Sequence, residues 1–255
     1  MTFAGVDGCS GGWIVVYGDG DKENCLCGKM VEDINALLSF QKEMGIEVIA
    51  IDIPIGLPSK ENPQRRVDIT AKKNLKNRAS SVFMAPILEL VKVKDKYNYK
   101  NDFGYICEIS KTLSSGKKIS KQVFCLFNKL LDVNDHIEEI RRNKIREFHP
   151  ELCWSAEVKC SKKTIDGFNS RIKDLASHLG WKEEHLCEFI QKIREGRCKL
   201  IARDDVVDAL CGLVVAKRIA SNRGIASIKE SETDPACEIY YIPHNDSHCL
   251  TDIIP

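Results

Sequence analysis

Apolar runs with different spacings divide the chain into predicted strands and helices. Three strands are predicted at its start, over residues 3–6, 13–17 and 24–30. A tight turn at Gly8, Gly11 and Gly12 is predicted between the first two. Apolar residues at helical spacing then indicate a helix that ends at Gly45. Residues 48–51 are apolar at every position, which is typical of a central strand covered on both faces.

The middle of the chain interrupts this regularity. Residues 57–144 contain three prolines and a charge run, so we interpret them as a largely helical insertion, which closes with a long amphipathic helix from about Ser120. Beyond it we predict a short strand stopped by Pro150, two helical pieces around Gly180 and a strong helix over 202–221. Strands alternating with helices predict an α/β fold in a single domain.

Composition and charge narrow the class of protein. No apolar run approaches the roughly 20 residues of a membrane span, and the first twenty residues lack the pattern of a signal peptide. We therefore expect a soluble cytoplasmic protein that makes no membrane contact, with its 12 cysteines reduced. Residues 57–144 hold 19 basic and 10 acidic residues, whereas the remainder holds 19 and 27. The basic segment is either a solvated face or a phosphate-binding surface beside an acidic centre.

Acidic residues follow the predicted strands. Asp7 comes after the first strand and Asp52 after the central one, where open α/β sheets place their ligands. On its own stretch, Asp7 is more readily explained as a turn residue, so the other carboxylates have to decide between the two explanations. Glu147 lies on the short strand before Pro150 and is a third candidate.

A further group of acids lies at the start of the last strong helix, in the segment ARDDVVDAL. Asp205 and Asp208 are three residues apart, and Asp204 and Asp208 four apart, so they share one helix face. Asp204 or Asp205 is readily explained as a helix cap or a first-turn acid. Asp208 lies deeper among apolar residues, where like charges are unfavourable unless a cation neutralises them.

The order of these elements and acids predicts an RNase H-like mixed sheet flanked by helices. Carboxylates converging in this way suit Mg²⁺ or Mn²⁺, which prefer oxygen ligands. Two such ions can activate water and stabilise the leaving oxygen in phosphoryl transfer. The catalytic candidates are Asp7, Asp52, Glu147, Asp205 and Asp208.

Several motifs together resemble the DUF429-type family of unknown function that is labelled as predicted RNase H-like nucleases. They are GVDGCSGGW, IDIPIGLP, the R-x-x-D leading to SSVFMAP, Ser120 with Gln122, EFHPE, KKT with Gly167 and Arg171, and DDVVDAL. The resemblance extends over nearly all of residues 1–255, with 57–144 as the insertion. The last motif is also similar to the final acidic helix of RuvC-type enzymes. That similarity implies that Asp7, Asp52, Asp205 and Asp208 are metal ligands, and it leaves the role of Glu147, His149 and Glu151 unassigned.

We interpret the chain as a metal-dependent nuclease acting on DNA or RNA. Arg65, Lys163 and Arg171 are either phosphate contacts or ordinary surface and ion-pair residues. One alternative is an ATP-handling phosphotransferase of the actin or hexokinase type, which needs two such domains. Another is a non-catalytic nucleic-acid-binding module in which the acids are structural. The oligomeric state leaves no trace in the sequence.

Overall fold

The computed structural model describes residues 1–19, 25–96, 103–113, 118–155, 157–231 and 237–244. Its strands are β1 (Thr2–Cys9), β2 (Gly12–Gly18), β3 (Cys27–Val31), β4 (Ile46–Ile51), β5 (Ile145–Phe148), β6 (Ala226–Lys229) and β7 (Glu238–Tyr241). Its α-helices are α1 (Ile34–Met44), α2 (Arg66–Leu75), α3 (Leu88–Lys96), α4 (Phe103–Leu113), α5 (Lys121–Cys125), α6 (Phe127–Asp135), α7 (Ile137–Arg142), α8 (Pro150–Cys153), α9 (Ile165–Leu179), α10 (Glu183–Arg194) and α11 (Arg203–Ser221). A 3₁₀ helix follows α2 over Lys76–Ser81.

The strands form one mixed sheet in the order β3-β2-β1-β4-β5-β7-β6. Strands β1, β4, β5 and β7 run parallel, while β2, β3 and β6 each pair antiparallel with their neighbours. This is an α/β fold, as predicted, and its first five strands have an order consistent with an RNase H-like architecture. The short strands β6 and β7 were not predicted, because four residues are too few to establish a period.

Helices cover both faces of the sheet. On one face, α1 and the helices α3 to α7 of the 57–144 segment share a core with β1, β2 and β4. On the other face, α9, α10 and α11 pack against the opposite side chains of the same strands. The 57–144 segment therefore supplies most of one helical layer, because its apolar side chains complete the core beneath the central strands.

The predicted long helix from Ser120 is three helices. Ser120 caps α5 as expected, with its hydroxyl accepting from the Val123 amide. The helical run is interrupted at His136, whose ring nitrogen Nδ1 lies 2.8 Å from the Asp132 carbonyl oxygen. A continuous helix would direct the His136 amide at that same carbonyl, so the side chain competes with the backbone and the helix breaks.

Strand β1 and helix α11 touch through their backbones at two glycines. A Cβ atom on Gly5 would lie 1.9 Å from the Ala209 carbonyl oxygen and 2.2 Å from the Leu213 nitrogen. Gly212 on the helix is equally restricted, since its own Cβ would lie 2.9 Å from Gly5 Cα. Two glycines thus let the helix backbone rest directly on the strand, which sets the separation between Asp7 and Asp208.

The described cysteines are all free thiols. Within the described part of the chain, no helix combines the length and the apolar character that a membrane span requires.

Candidate active site

Asp7 and Asp52 lie side by side on neighbouring parallel strands. Val6 pairs with Ile51 in the sheet register, so the two acids follow paired positions, Asp7 within β1 and Asp52 directly after β4. The prediction that Asp7 follows its strand was wrong, because β1 continues to Cys9 and Asp7 pairs with Ile14 of β2. Pairing across the hairpin outweighs the poor strand propensity of Asp and Gly.

Helix α11 brings a third carboxylate to this pair. Asp208 is only 1% exposed, and Asp7 is 9% exposed. Both side chains line one cavity of about 810 Å³, together with Asp52, Asp204 and Asp205. The acids predicted to converge from β1, β4 and α11 are therefore brought together around a single cavity. A smaller cavity of about 360 Å³ near the end of α11 contains none of them.

Burial and mutual repulsion raise the pKa values of these acids. The pKa of Asp7 lies well above its ordinary value, mainly through burial and then through repulsion from Asp52 and Asp208. That of Asp52 is raised by burial and by Asp208. Burial also raises the pKa of Asp208, to about 6, although Lys162 partly opposes the shift. The cluster therefore favours either extra protons or an added cation.

The two other acids of α11 differ in role. Asp205 Oδ2 accepts a 2.8 Å hydrogen bond from the Ala202 amide, so this carboxylate caps the start of the helix. Asp204 is partly exposed, and its Oδ2 lies 3.7 Å from Lys162 Nζ. The cap explanation weighed for Asp204 or Asp205 thus applies to Asp205, which also lines the cavity.

A lysine that sequence reasoning did not single out lies among the acids. Lys162 Nζ is 2.5 Å from Asp208 Oδ2, and the lysine charge also lowers the pKa values of Asp7 and Asp52. The other oxygen of Asp208, Oδ1, is buried and has no hydrogen-bond partner in the described structure. The only sequence signal for this lysine was the KKT motif, because an isolated lysine in a loop produces no periodic pattern.

The cluster is not preassembled around a metal ion. Across the described ranges, no three His, Cys, Asp or Glu side chains already form a group that could hold one. The donor chemistry nevertheless suits Mg²⁺ or Mn²⁺, since the acids supply hard oxygen ligands and one buried oxygen lacks a partner. Binding of an ion by three of these acids would therefore require their side chains to move closer together.

The charge of Glu147 contributes to the raised pKa of Asp52, but neither Glu147 nor Arg65 lines the cavity. Alternation along β5 directs Glu147 to the same face as the core residue Ile145, away from α11. Its Oε2 accepts a 2.6 Å bond from Arg65 Nη2 and a 2.7 Å bond from the Ile55 amide. Arg65 is 2% exposed and also faces Asp68 at 3.5 Å. These two candidates form a buried ion pair that does not line the cavity, and the R-x-x-D spacing was a local signal only for the contact of Arg65 with Asp68.

The HPE motif and Arg171 support the cavity wall. His149 caps α8 through Nδ1, and burial lowers its pKa to about 4, so the ring is neutral at pH 7. Glu151 bridges two arginines, with its oxygens 3.1 Å from Arg78 Nη1 and 2.6 Å from Arg171 Nη2. Arg171 also donates to the carbonyls of Cys160 and Gly167. This arginine is 2% exposed. Its bond to the Cys160 carbonyl holds the loop that carries Lys162 and Lys163 against α9.

Basic side chains line the cavity from two sides. Lys159, Lys162 and Lys163 come from the loop before α9, and Arg78 and Lys129 from the 57–144 segment. Lys129 donates to the Cys9 carbonyl at 3.2 Å and lies over the Trp13 ring. Of the three predicted phosphate contacts, Lys163 is the exposed one at the cavity. Arg78 and Lys129 were missed because neither belongs to a recognisable local motif.

Comparison with known proteins gives a family match but no characterised relative. A family model described as "Protein of unknown function (DUF429)" matches residues 5–233, a range that contains all the cavity carboxylates. No curated protein and no solved structure matches the chain.

Proposed function

Because the chain belongs to the DUF429 family, whose description assigns no activity, we propose a function from the site itself: metal-dependent hydrolysis of phosphodiester bonds in nucleic acid. One observation carries the proposal. Three elements bring the carboxylates of Asp7, Asp52 and Asp208 to one cavity, where burial and repulsion raise their pKa values and Asp208 Oδ1 has no hydrogen-bond partner among the described residues.

These three acids would hold a Mg²⁺ or Mn²⁺ ion, with Asp205 beside them at the start of α11. When bound, such an ion lowers the pKa of a water molecule and neutralises charge on a phosphate. Asp7 and Asp52 hold an extra proton more readily than ordinary carboxyl groups do, so ion binding releases it. The carboxylate cluster therefore carries negative charge that a bound cation has to neutralise before a phosphate group can approach.

The basic wall of the cavity accounts for a polyanionic substrate. Lys159 and Lys163 are exposed on the loop before α9, and Arg78 is partly exposed on the opposite side. Their charges hold phosphate groups above the carboxylates, which would otherwise repel a nucleic-acid backbone. A volume of about 810 Å³ is within the usual range of ligand sites, about 300–1,000 Å³.

Cleavage of labelled oligonucleotides tests this function. Single- and double-stranded DNA and RNA are incubated with the protein and Mn²⁺, Mg²⁺ or a chelator. We expect cleavage that requires a divalent ion and falls at least about 100-fold in Asp52→Asn, because one oxygen ligand is lost. Asp166→Asn, an exposed acid in the first turn of α9, is the matched control and should cleave like the wild type.

The same assay separates the alternatives. Cleavage that persists in the chelator, or an Asp52→Asn rate equal to that of the wild type, would contradict a metal-dependent centre. Oligonucleotide binding without cleavage under every metal condition would instead favour a non-catalytic module.

Salt dependence tests the role of the basic wall. Because binding releases counterions from phosphates, affinity for an oligonucleotide should fall steeply between about 50 and 200 mM salt. Lys163→Met should reduce the slope of log affinity against log salt by about 0.7–0.9, the value of one phosphate contact. Lys173→Met, an exposed lysine of α9 outside the cavity, should leave the slope unchanged. Affinity that stays flat with salt would rule out phosphate contacts as the source of binding.

A further inference from the structure

Lys162 is placed where a cation is needed. Its ammonium contacts Asp208 Oδ2 at 2.5 Å and lies 3.7 Å from Asp204 Oδ2. Asp208 is 2% exposed in its side chain, whereas Lys162 is 36% exposed. The lysine therefore enters from the cavity and neutralises a carboxylate at its buried end.

The loop that carries Lys162 is fastened on both sides of it. Arg171 Nη1 donates to the Cys160 carbonyl at 3.0 Å, and the Thr164 hydroxyl donates to the Ser161 carbonyl at 2.8 Å. Gly167 of α9 packs against the same loop so closely that a Cβ would lie 1.9 Å from the Ser161 oxygen. This anchoring holds the backbone beside Lys162 in place, so the lysine side chain reaches Asp208 from a fixed position on the cavity wall.

The contact also limits what Asp208 can bind. A carboxylate that bridges two metal ions uses both oxygens, because the ions lie about 4 Å apart. In Asp208, Oδ2 accepts a hydrogen bond from Lys162, whereas Oδ1 has no partner within the part of the chain that the structure describes. One further cation can therefore be served by Asp208, while a second would compete directly with the lysine.

Charge balance leads to the same result. For the three acids proposed to hold the ion, Asp7, Asp52 and Asp208, Lys162 and one divalent ion supply three positive charges against three negative ones. Asp204 and Asp205 also line the cavity but are partly exposed, so solvent screens their charges. A second divalent ion would add excess positive charge to a largely buried site, which is costly. Resting on the nuclease function proposed above, we propose that Lys162 takes the place of a second metal ion and that the site binds a single divalent cation.

Mn²⁺ binding to the full chain tests this inference without any substrate. Calorimetric titration of the wild type should give one Mn²⁺ per chain, and its electron paramagnetic resonance spectrum should show an isolated ion. Lys162→Met should bind the first Mn²⁺ at least about tenfold more tightly, because a competing charge is removed, and should accept a second, magnetically coupled ion. Lys162→Arg should restore a single ion, since it keeps the charge.

Lys163→Met is the matched control, because Lys163 lines the same cavity but forms no ion pair with a carboxylate of the described residues. It should bind one Mn²⁺ with an affinity within about twofold of the wild type, since screening weakens the effect of an unpaired exposed charge. A wild type that binds two coupled ions would overturn the inference and leave the nuclease proposal standing. Unchanged stoichiometry and affinity in Lys162→Met would overturn it as well. Absence of Mn²⁺ binding in the wild type and in every variant would overturn both proposals.

Discussion

Replacing Asp7 with asparagine is expected to abolish stabilisation by Mn²⁺ while leaving the metal-free protein as stable as the wild type or more stable. The substitution removes a charge that repels Asp52 and Asp208 in a buried cluster, so the free energy of unfolding of the metal-free protein stays equal or rises. It also removes an oxygen ligand, so the native state loses its advantage in binding the ion. Phosphodiester cleavage should fall at least about 100-fold for the same reason.

The expected shifts are large enough to measure. An ion present at about 100 times its dissociation constant stabilises the wild type by about 2.7 kcal/mol, which for a chain of this size raises Tm by about 5–10 °C. Asp7→Asn should show almost none of this increase. Asp166→Asn is again the control, because it removes an exposed charge away from the cavity. Equal Mn²⁺ responses in all three proteins would return Asp7 to a purely structural role.

The pH dependence gives an independent readout of the same prediction. The pKa values of Asp7, Asp52 and Asp208 are higher in the folded chain than in the unfolded one. The native state therefore binds protons more tightly, and its stability declines as pH rises from about 4, the unfolded value, through the folded values. For Asp208 the folded value is about 6. In Asp7→Asn the decline should be smaller, and saturating Mn²⁺ should remove it from the wild type.

Truncating Glu147 to alanine is expected to lower the free energy of unfolding by about 3–5 kcal/mol. The Arg65 guanidinium would then be buried without its closest partner, and the Ile55 amide would lose its acceptor. Glu147→Gln should cost much less, because it keeps an oxygen for that amide. Denaturant unfolding followed by circular dichroism measures both variants.

The same variants decide between a structural and a catalytic Glu147. With a purely structural role, Glu147→Gln keeps the Mn²⁺-dependent rise in Tm, because the carboxylates at the cavity are unchanged. A triple substitution, Arg65→Met with Asp68→Asn and Glu147→Leu, should recover part of the stability lost in Glu147→Ala, since no charge of this buried ion-pair group then remains. A stable Glu147→Gln protein that has lost its Mn²⁺ response would reinstate Glu147 as part of the metal centre.

Local sequence patterns predicted the helices and strands in which apolar residues recur at helical spacing over several turns or form a clear strand pattern. Helix α11 begins at Arg203 and α9 ends at Gly180, each where the pattern placed it, because apolar spacing and a glycine cap are local signals. The extent of β1 was underestimated, since continuation of the strand through Asp7 depends on pairing with β2. The length of β1 thus depends on pairing with β2, which the strand propensities of single residues do not take into account.

The candidate site was predictable only in part, for a similar reason. Asp7, Asp52 and Asp208 are marked by their positions on elements, and parallel strands with a covering helix bring them together. Lys162 reaches the cluster from a loop that is held by the contact of Arg171 with the Cys160 carbonyl. No repeating pattern in the sequence indicates such a contact between distant residues. Arg65 was expected among candidate phosphate contacts because charge alone does not reveal burial, which depends on β5 and on the turn after β4.

The glycine contact between β1 and α11 also has a consequence for biosynthesis. Gly5 and Gly212 touch although they come from nearly opposite ends of the matched region, so Asp208 is synthesised roughly 10–40 s after Asp7 at ordinary translation rates. An emerging chain carries Asp7 and Asp52 with neither the third acid nor the helix that buries them. The centre is therefore completed only late in synthesis, so the proposed nuclease activity would arise only then and would spare the messenger RNA and ribosomal RNA around the emerging chain until that point.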